Sequence, residues 1–546
     1  MKKRLSLFLC AALMVSLLSG CSNGKLDFSW FTSKFTGKTA EDAQAEQDPS
    51  AEESTQPEAT AVVTEVFSEA SSFGLAYQKS YGAHPYNCES LNNRCLISFL
   101  YEPLFVVKSE SYTAVPVLAS GYDVSSDGLT TTVHLRENIT FSNGAPLTAK
   151  DAAYSLSSAR GTVYYGSRLH HVTSIEASDD HTLTLTTDTA YECLPLLLDI
   201  PVIPDGSKDE ALPLGTGPYV MDEEGSRLVR NSSWWQTAAP IVDFDEIRLT
   251  AVETTAEVRD NFEYENVNLV LTDPNSAAFA GFHNDYELWD ASSPIMQYIG
   301  YNITSRVFSN YGLRSAITYA IDREQIATDI MGGFATAAVL PASPNAPFYD
   351  GKLANTYGYS LTNFQQQLES ASVSDMDHDG TLDLYVPSLG YAVSVAGTMI
   401  VCSSSYQRVE AATQVVNTLN SLGFKLTLKT MELSEYRQAL QSGNFDLYYG
   451  EIRMSNNFDL TPFFSPSGSM CYGGLDDSVM LNLCNQALAN NGNSYNLYKR
   501  LCERGYITPV LFKNLAVYTT RGSIAHPTDY VDWFLIPPED ALDTAE

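Results

Sequence analysis

Positive charge is scarce in this chain. Lys and Arg number 32 against 65 Asp and Glu over 546 residues, a formal net charge of −33. Holding a phosphate backbone takes clustered cations, so the balance argues against a nucleic-acid partner. It argues equally against docking on an anionic lipid surface by charge. Histidines number 8, and His170-His171 is the one adjacent pair. On a strand such neighbours point to opposite faces, a poor grip for a metal. The nine cysteines contain no Cys-x-x-Cys pair, which speaks against a zinc ribbon. Also lacking are an H-E-x-x-H helix, a G-x-S-x-G elbow and a Walker loop, so nothing favours an enzyme. After residue 20 no apolar run approaches the ~20 residues of a membrane helix.

What the chain does have is length and a core. With 44% hydrophobic residues it has material for two to four folded domains. Lys2, Lys3 and Arg4 precede a short apolar stretch, Leu5 to Leu18, in the order of an export signal. Leu18-Ser19-Gly20-Cys21 then resembles the lipobox of bacterial lipoproteins. That resemblance implies removal of residues 1–20, an acyl chain on Cys21, and attachment to the extracytoplasmic face of the cell membrane by lipid alone. Residues 21–60 mix acidic side chains with Ala, Gln, Ser, Thr and Pro and read as a disordered, self-repelling tether. Cys10 leaves with the signal and Cys21 is modified, so seven cysteines remain. Cys88 with Cys95, and Cys471 with Cys484, are near enough in sequence to bridge; most of the seven read as small buried hydrophobes.

The folded part begins near Ala61. Leu129, Thr131, Val133 and Leu135 alternate with Thr130, Thr132 and His134, the period of a half-buried strand. Thr148 and Asp151 form a capping box that opens a helix. Val172 to Thr187 reads as a hairpin turning at Ser178–His181. Leu313, Ala316, Ile317, Ala320 and Ile321 share one helix face. Strands at 399–401, 426–430 and 445–449 alternate with helices ending at Gly423 and Gly443, a βαβαβ pattern that predicts a parallel sheet. Ligands of such sheets sit beyond the carboxyl ends of the strands. The segment leaving the last strand therefore supplies the candidate ligand-binding residues: Tyr449, Glu451, Arg453, Ser455, Asn456, Asn457 and Asp459. Arg453 can fork a carboxylate, and the mixed charges suit a zwitterion; a lobe-internal ion pair is the alternative.

Several of these segments resemble one family. Leu100-Tyr101-Glu102-Pro103-Leu104, Val115-Pro116-Val117-Leu118-Ala119, His134-Leu135-Arg136, Phe141-Ser142-Asn143-Gly144, Leu147–Asp151, Gly215-Thr216-Gly217-Pro218-Tyr219 and Leu313–Arg323 match motifs of the family 5 extracellular solute-binding proteins, receptors of oligopeptide and dipeptide ABC importers. The resemblance implies a type II (cluster C) periplasmic-binding-protein-like α/β fold, two lobes with an extra subdomain and a hinge. Lobe I would comprise 61–98, 212–292 and 516–546, the extra subdomain 99–211, and lobe II 293–515. It implies no catalysis and no cofactor. The implied partners are a small solute, foremost an oligopeptide, and an ABC permease with its ATPase, served by a monomer. Peptide-binding relatives carry a Trp and an α-amino-pairing Asp where this chain has Glu451 and Met454. That departure leaves open a sensor role or a non-peptide solute such as a sugar, an opine-like acid or a metal chelate. Asp375, Asp377, Asp379, Gly380 and Asp383 have the spacing of a calcium loop, yet Val386 stands where the bidentate Glu belongs; a Ca²⁺ site and a plain polar turn are both open.

Overall fold

The computed structural model describes residues 72–537, apart from 163, 275–281, 284 and 525–526. All of these lie in the second of two compact units, Phe67–Glu546. The expected signal, Cys21 and the acidic tether fall outside the described residues.

Two long antiparallel strands, Tyr286–Tyr301 and Ile507–Thr520, run through the middle of an eleven-stranded sheet. On one side Phe73–Tyr77 pairs in parallel with Glu246–Ala251 and Leu269–Thr272. On the other, Ala396–Cys402 lies parallel to both Lys425–Met431 and Leu447–Arg453, as the βαβαβ pattern predicts. Gly443 ends the intervening helix Leu433–Ser442 in the left-handed conformation, φ +68°, that glycine adopts at least cost.

Each long strand contributes to both of the two large hydrophobic cores. Met296, Tyr298, Ile299 and Tyr301 pack with Ile507, Leu511 and Phe512 in one. Ala291, Leu515 and Val517 belong to the other, with Phe73, Leu75 and Ile247. The crossing falls where the register of the pair shifts, between Ala291 and Ile295. A register shift bends a strand; here Ser293 Oγ donates to the Lys513 carbonyl at 2.6 Å. The first core fills the second lobe; the second fills the first lobe and runs on into the subdomain at Val133, Leu183 and Leu185.

A separate four-stranded antiparallel sheet, Ala119–Val124, Thr130–Leu135, Val172–Ala177 and Thr182–Thr187, carries the helix Ala149–Ala159. The alternation read from residues 129–135 is real: Val133 and Leu135 are buried against Leu183 and Leu185 of the hairpin. Asp151 Oδ2 accepts from Thr148 N at 2.8 Å, the reciprocal arm of the capping box.

Two motifs far apart in sequence meet at Glu102. Its buried carboxylate accepts from Trp234 Nε1 (3.0 Å), Trp235 Nε1 (2.8 Å) and Gln236 Nε2 (2.9 Å). Gly215 and Gly217 press on the backbone at Phe99 and Leu100, where a Cβ would fall within 1.9 Å of Leu100 O and 2.7 Å of Phe99 O. Glycine is required there by close approach, not by phosphate. Arg314 and Arg323 spend their guanidiniums on carbonyls, including Gly505 O and Pro509 O, each at 2.8 Å.

Three readings need correction. The helix Leu91–Leu100 has no counterpart in the sequence reading. Residues 95–100 are buried on every side, so no apolar face repeats along it. None of Cys88, Cys95, Cys471 and Cys484 is in a disulfide, so neither expected bridge forms; five of the seven described cysteines are buried. His170 and His171 follow a 3₁₀ turn, Gly166–Leu169, not a strand, and their rings lie 3.9 Å apart on the same side. Among the described residues no helix is long and apolar enough to cross a membrane.

Candidate functional site

Between the lobes lies a cavity of about 220 Å³. The helix Leu91–Leu100 lends it Arg94, and the subdomain lends Tyr164, Tyr165, Arg168 and Asp199. The second lobe contributes Ile295 and Arg453, the crossing strand Lys513, and the C-terminal segment Asp532 and Trp533. Four cations thus share the space with the carboxylates of Asp199, Asp273 and Asp532, in a chain where cations are rare.

Three of the cations are paired: Arg168 with Asp199, Arg453 with Asp532, and Lys513 with Asp273. Arg94 has no carboxylate partner among the described residues. Its guanidinium carbon stacks 3.4 Å from the centre of the Tyr164 ring, and Nη2 reaches Tyr165 Oη at 3.3 Å. Arg453 and Arg168 face the same Tyr164 ring at 5.3 and 5.6 Å. Packing three guanidiniums around one electron-rich ring offsets part of their mutual repulsion.

Unsatisfied buried polar atoms are rare in folded proteins. Among the described residues, Arg94 Nη1, Arg453 Nε and Trp533 Nε1 are buried donors with no acceptor, and Asp532 Oδ1 is a buried acceptor with no donor. Asp532 and Trp533 also hold left-handed backbone, φ +64° and +59°. For non-glycine residues, a tryptophan above all, such conformations cost energy and gather at binding sites. The cavity is a charged vessel with open donors and one open acceptor, fit for a carboxylate and an ammonium.

Of the residues expected on the segment leaving the last strand, Arg453 lines this cavity. Glu451 sits beside it in a network: Arg408 Nη2 donates at 2.7 Å, Gln297 Nε2 at 2.8 Å, and Lys513 Nζ lies 3.7 Å away. Tyr449 is buried and donates to Gln297 Oε1 at 3.0 Å. Ser455 donates to Asn457 Oδ1 at 2.7 Å. Asn456 Nδ2 donates to Asp199 Oδ2 at 3.1 Å, and Asn457 Nδ2 to Tyr191 Oη at 2.8 Å, so both fasten the second lobe to the subdomain. Asp459 accepts from Thr461 N at 2.8 Å and lies 3.5 Å from His170 Nε2. Met454 is buried in the second lobe's core.

Arg94, Tyr164, Arg168, Asp199, Lys513 and Asp532 were not singled out from the sequence. Scarcity was the available signal: in a chain with 32 basic residues, an Arg on a buried helix or beside Tyr164-Tyr165 carries information. In the acidic loop, carboxylate oxygens of Asp375, Asp377 and Asp383 come within 4.8 Å of one another. Asp379 instead accepts from Thr381 N at 2.7 Å.

Residues 113–471 match the family described as bacterial extracellular solute-binding proteins, family 5 Middle. The glutathione-binding protein GsiB of Escherichia coli (strain K12) is 27% identical over 286 residues, 47% of this chain and 54% of the relative. The chain therefore spans about half the length of the curated relatives it matches. Among solved structures, NikA from Brucella suis, in complex with Fe(III)-EDTA, is similar at TM-score 0.65 and 17% identity, over 86% of this chain and 99% of that one. The oligopeptide-binding protein AppA from Bacillus subtilis, in complex with a nonapeptide, is similar at TM-score 0.56 and 18% identity, over 82% and 93% of the two chains. Such likenesses establish the fold, a type II periplasmic-binding-protein fold of mixed α/β lobes.

Proposed function

This chain belongs to the family 5 bacterial extracellular solute-binding proteins, which are transport receptors and not enzymes, and we propose that it captures a short peptide, or a peptide-like solute with a free carboxylate, between its two lobes. In this reading Cys21 carries the lipid anchor, residues 21–60 lift the domain from the membrane, and the closed monomer delivers its solute to an ABC permease and ATPase. Energy comes from ATP hydrolysed by that partner.

The observation that carries the reading is the set of open polar atoms at the cavity, Arg94 Nη1, Arg453 Nε, Trp533 Nε1 and Asp532 Oδ1. Leaving a buried donor unmade costs about 1–3 kcal/mol, which a ligand carboxylate relieves. Arg94 is the fork for that carboxylate. Asp532 Oδ1 takes the ligand's ammonium. About 220 Å³ lies below the ~300–1,000 Å³ typical of drug-sized pockets, which suits a ligand of one to three residues. A nonapeptide such as AppA holds would not fit; glutathione, named for GsiB, is a tripeptide with two carboxylates.

A thermal-shift panel of di- and tripeptides, their C-terminal amides, free amino acids and sugars tests this. A ligand at one hundred times its Kd adds about 2.7 kcal/mol of stability. Shifts with free acids and none with the amides are expected; shifts with sugars alone would replace the peptide reading.

A further inference from the structure

Away from the central cavity, His170, His171 and Asp459 bring one ligand atom each within 4.8 Å of one another. We propose that they bind a divalent transition-metal ion, of the zinc or nickel kind, between the subdomain and the second lobe. His170 Nε2 and Asp459 Oδ2 stand 3.5 Å apart. That is long for a good hydrogen bond and close to the ~3.4 Å edge of a tetrahedron with metal–ligand bonds of about 2.0–2.1 Å. His170 Nε2 also meets Thr461 Oγ1 at 3.3 Å, a contact the ion would replace.

His171 shows the preparation a metal ligand needs. Its Nδ1 pairs with Asp188 Oδ1 at 2.8 Å, which fixes the proton on Nδ1. The Nε2 lone pair is then available, and Nε2 is buried with no hydrogen-bond partner. A carboxylate behind the imidazole, orienting the ring and raising its basicity, is the usual outer shell of a histidine ligand. Asp459 is held in the same way: Thr461 N donates to Oδ1 at 2.8 Å and Thr461 Oγ1 to Oδ2 at 2.7 Å. The His170 side chain is 39% exposed, so a fourth position opens to water. Two imidazoles and one carboxylate select zinc, nickel or copper over calcium and magnesium.

The site spans two bodies. His170, His171 and Asp188 belong to the subdomain, whereas Asp459 follows the last strand of the second lobe. The ion fastens the two together, beside the Asn457–Tyr191 and Asn456–Asp199 bonds. This inference does not depend on what fills the central cavity.

The test is calorimetric titration of the untagged, chelator-treated full chain with Zn²⁺ and Ni²⁺. One ion per chain is expected, with binding lost in His171→Ala and in Asp459→Asn. Asp188→Asn should weaken it about 10- to 100-fold. Binding should persist in Asp375→Asn, which disarms the acidic loop, and in Arg94→Ala, which disarms the central cavity. Circular dichroism checks the fold of each variant. Co²⁺ added to the wild-type chain provides a second readout, a d–d absorption band that histidine substitution removes. A wild-type chain that takes up no ion, or ions bound equally well by His171→Ala and Asp459→Asn, would overturn the proposal.

Discussion

Arg453 of the second lobe pairs with Asp532 of the C-terminal segment across the cavity, and each keeps one buried atom, Nε and Oδ1, unpartnered. The pair closes the space between the lobes while leaving both charges something to offer a ligand. A purely structural ion pair would be expected to satisfy itself, because incomplete buried pairs are costly.

Arg453→Ala is therefore expected to weaken ligand binding more than it lowers stability. The loss in affinity should reach tenfold or more, about 1.4 kcal/mol. Calorimetric Kd values beside urea midpoints decide the matter: a collapsed midpoint with affinity intact would make Arg453 structural.

Glu102 gathers three donors on one buried carboxylate, Trp234, Trp235 and Gln236. Burial pushes its carboxyl above the usual range, while the N–H donors pull it back. Glu102→Ala strands those donors and should cost about 3 kcal/mol or more in urea unfolding. Glu102→Gln, which keeps the volume but turns one oxygen into a donor, should fall between. Solute affinity per folded molecule should not change in either.

His84 accepts from Tyr86 N at Nδ1 (3.1 Å) and meets Lys208 O at Nε2 (3.0 Å), an arrangement that suits the neutral ring. Burial holds its pKa below the ordinary 6.5. Between the two values the unfolded chain binds a proton that the folded chain refuses, so stability is full above pH about 6.5 and falls as pH drops through the folded pKa. The stability gap between wild type and His84→Gln should narrow from pH 7.5 to 5.5. A constant gap would remove His84 from the pH response.

Local patterns were legible where the chemistry is local. The strand at 130–135, its capping-box helix and the parallel strands after residue 396 follow from period and caps alone. Glu102 and Gly217 belong to motifs whose purpose appears only in three dimensions, where Trp235 and Leu100 meet them. The cavity was legible at Arg453, which leaves a strand in the manner α/β sheets prescribe. Arg94, Asp199 and Asp532 come from segments more than a hundred residues apart. No spacing rule joins them, and the helix bearing Arg94 is buried too evenly to show a period. His170 and His171 stand where the chain turns and not on a strand, a local geometry that two adjacent histidines do not reveal.

The central claim is that Arg94 reads a carboxylate. Calorimetric titration of one tripeptide and its C-terminal amide against the wild-type chain and Arg94→Ala tests it most directly. The account predicts that the free acid binds the wild type at least a hundredfold more tightly than the amide, and that Arg94→Ala erases the difference. That variant loses the Tyr164 stack and the Tyr165 hydrogen bond but no ion pair, so circular dichroism should show it folded with a modest loss of stability. Equal binding of acid and amide by the wild-type chain, or a preference that survives in Arg94→Ala, would contradict it.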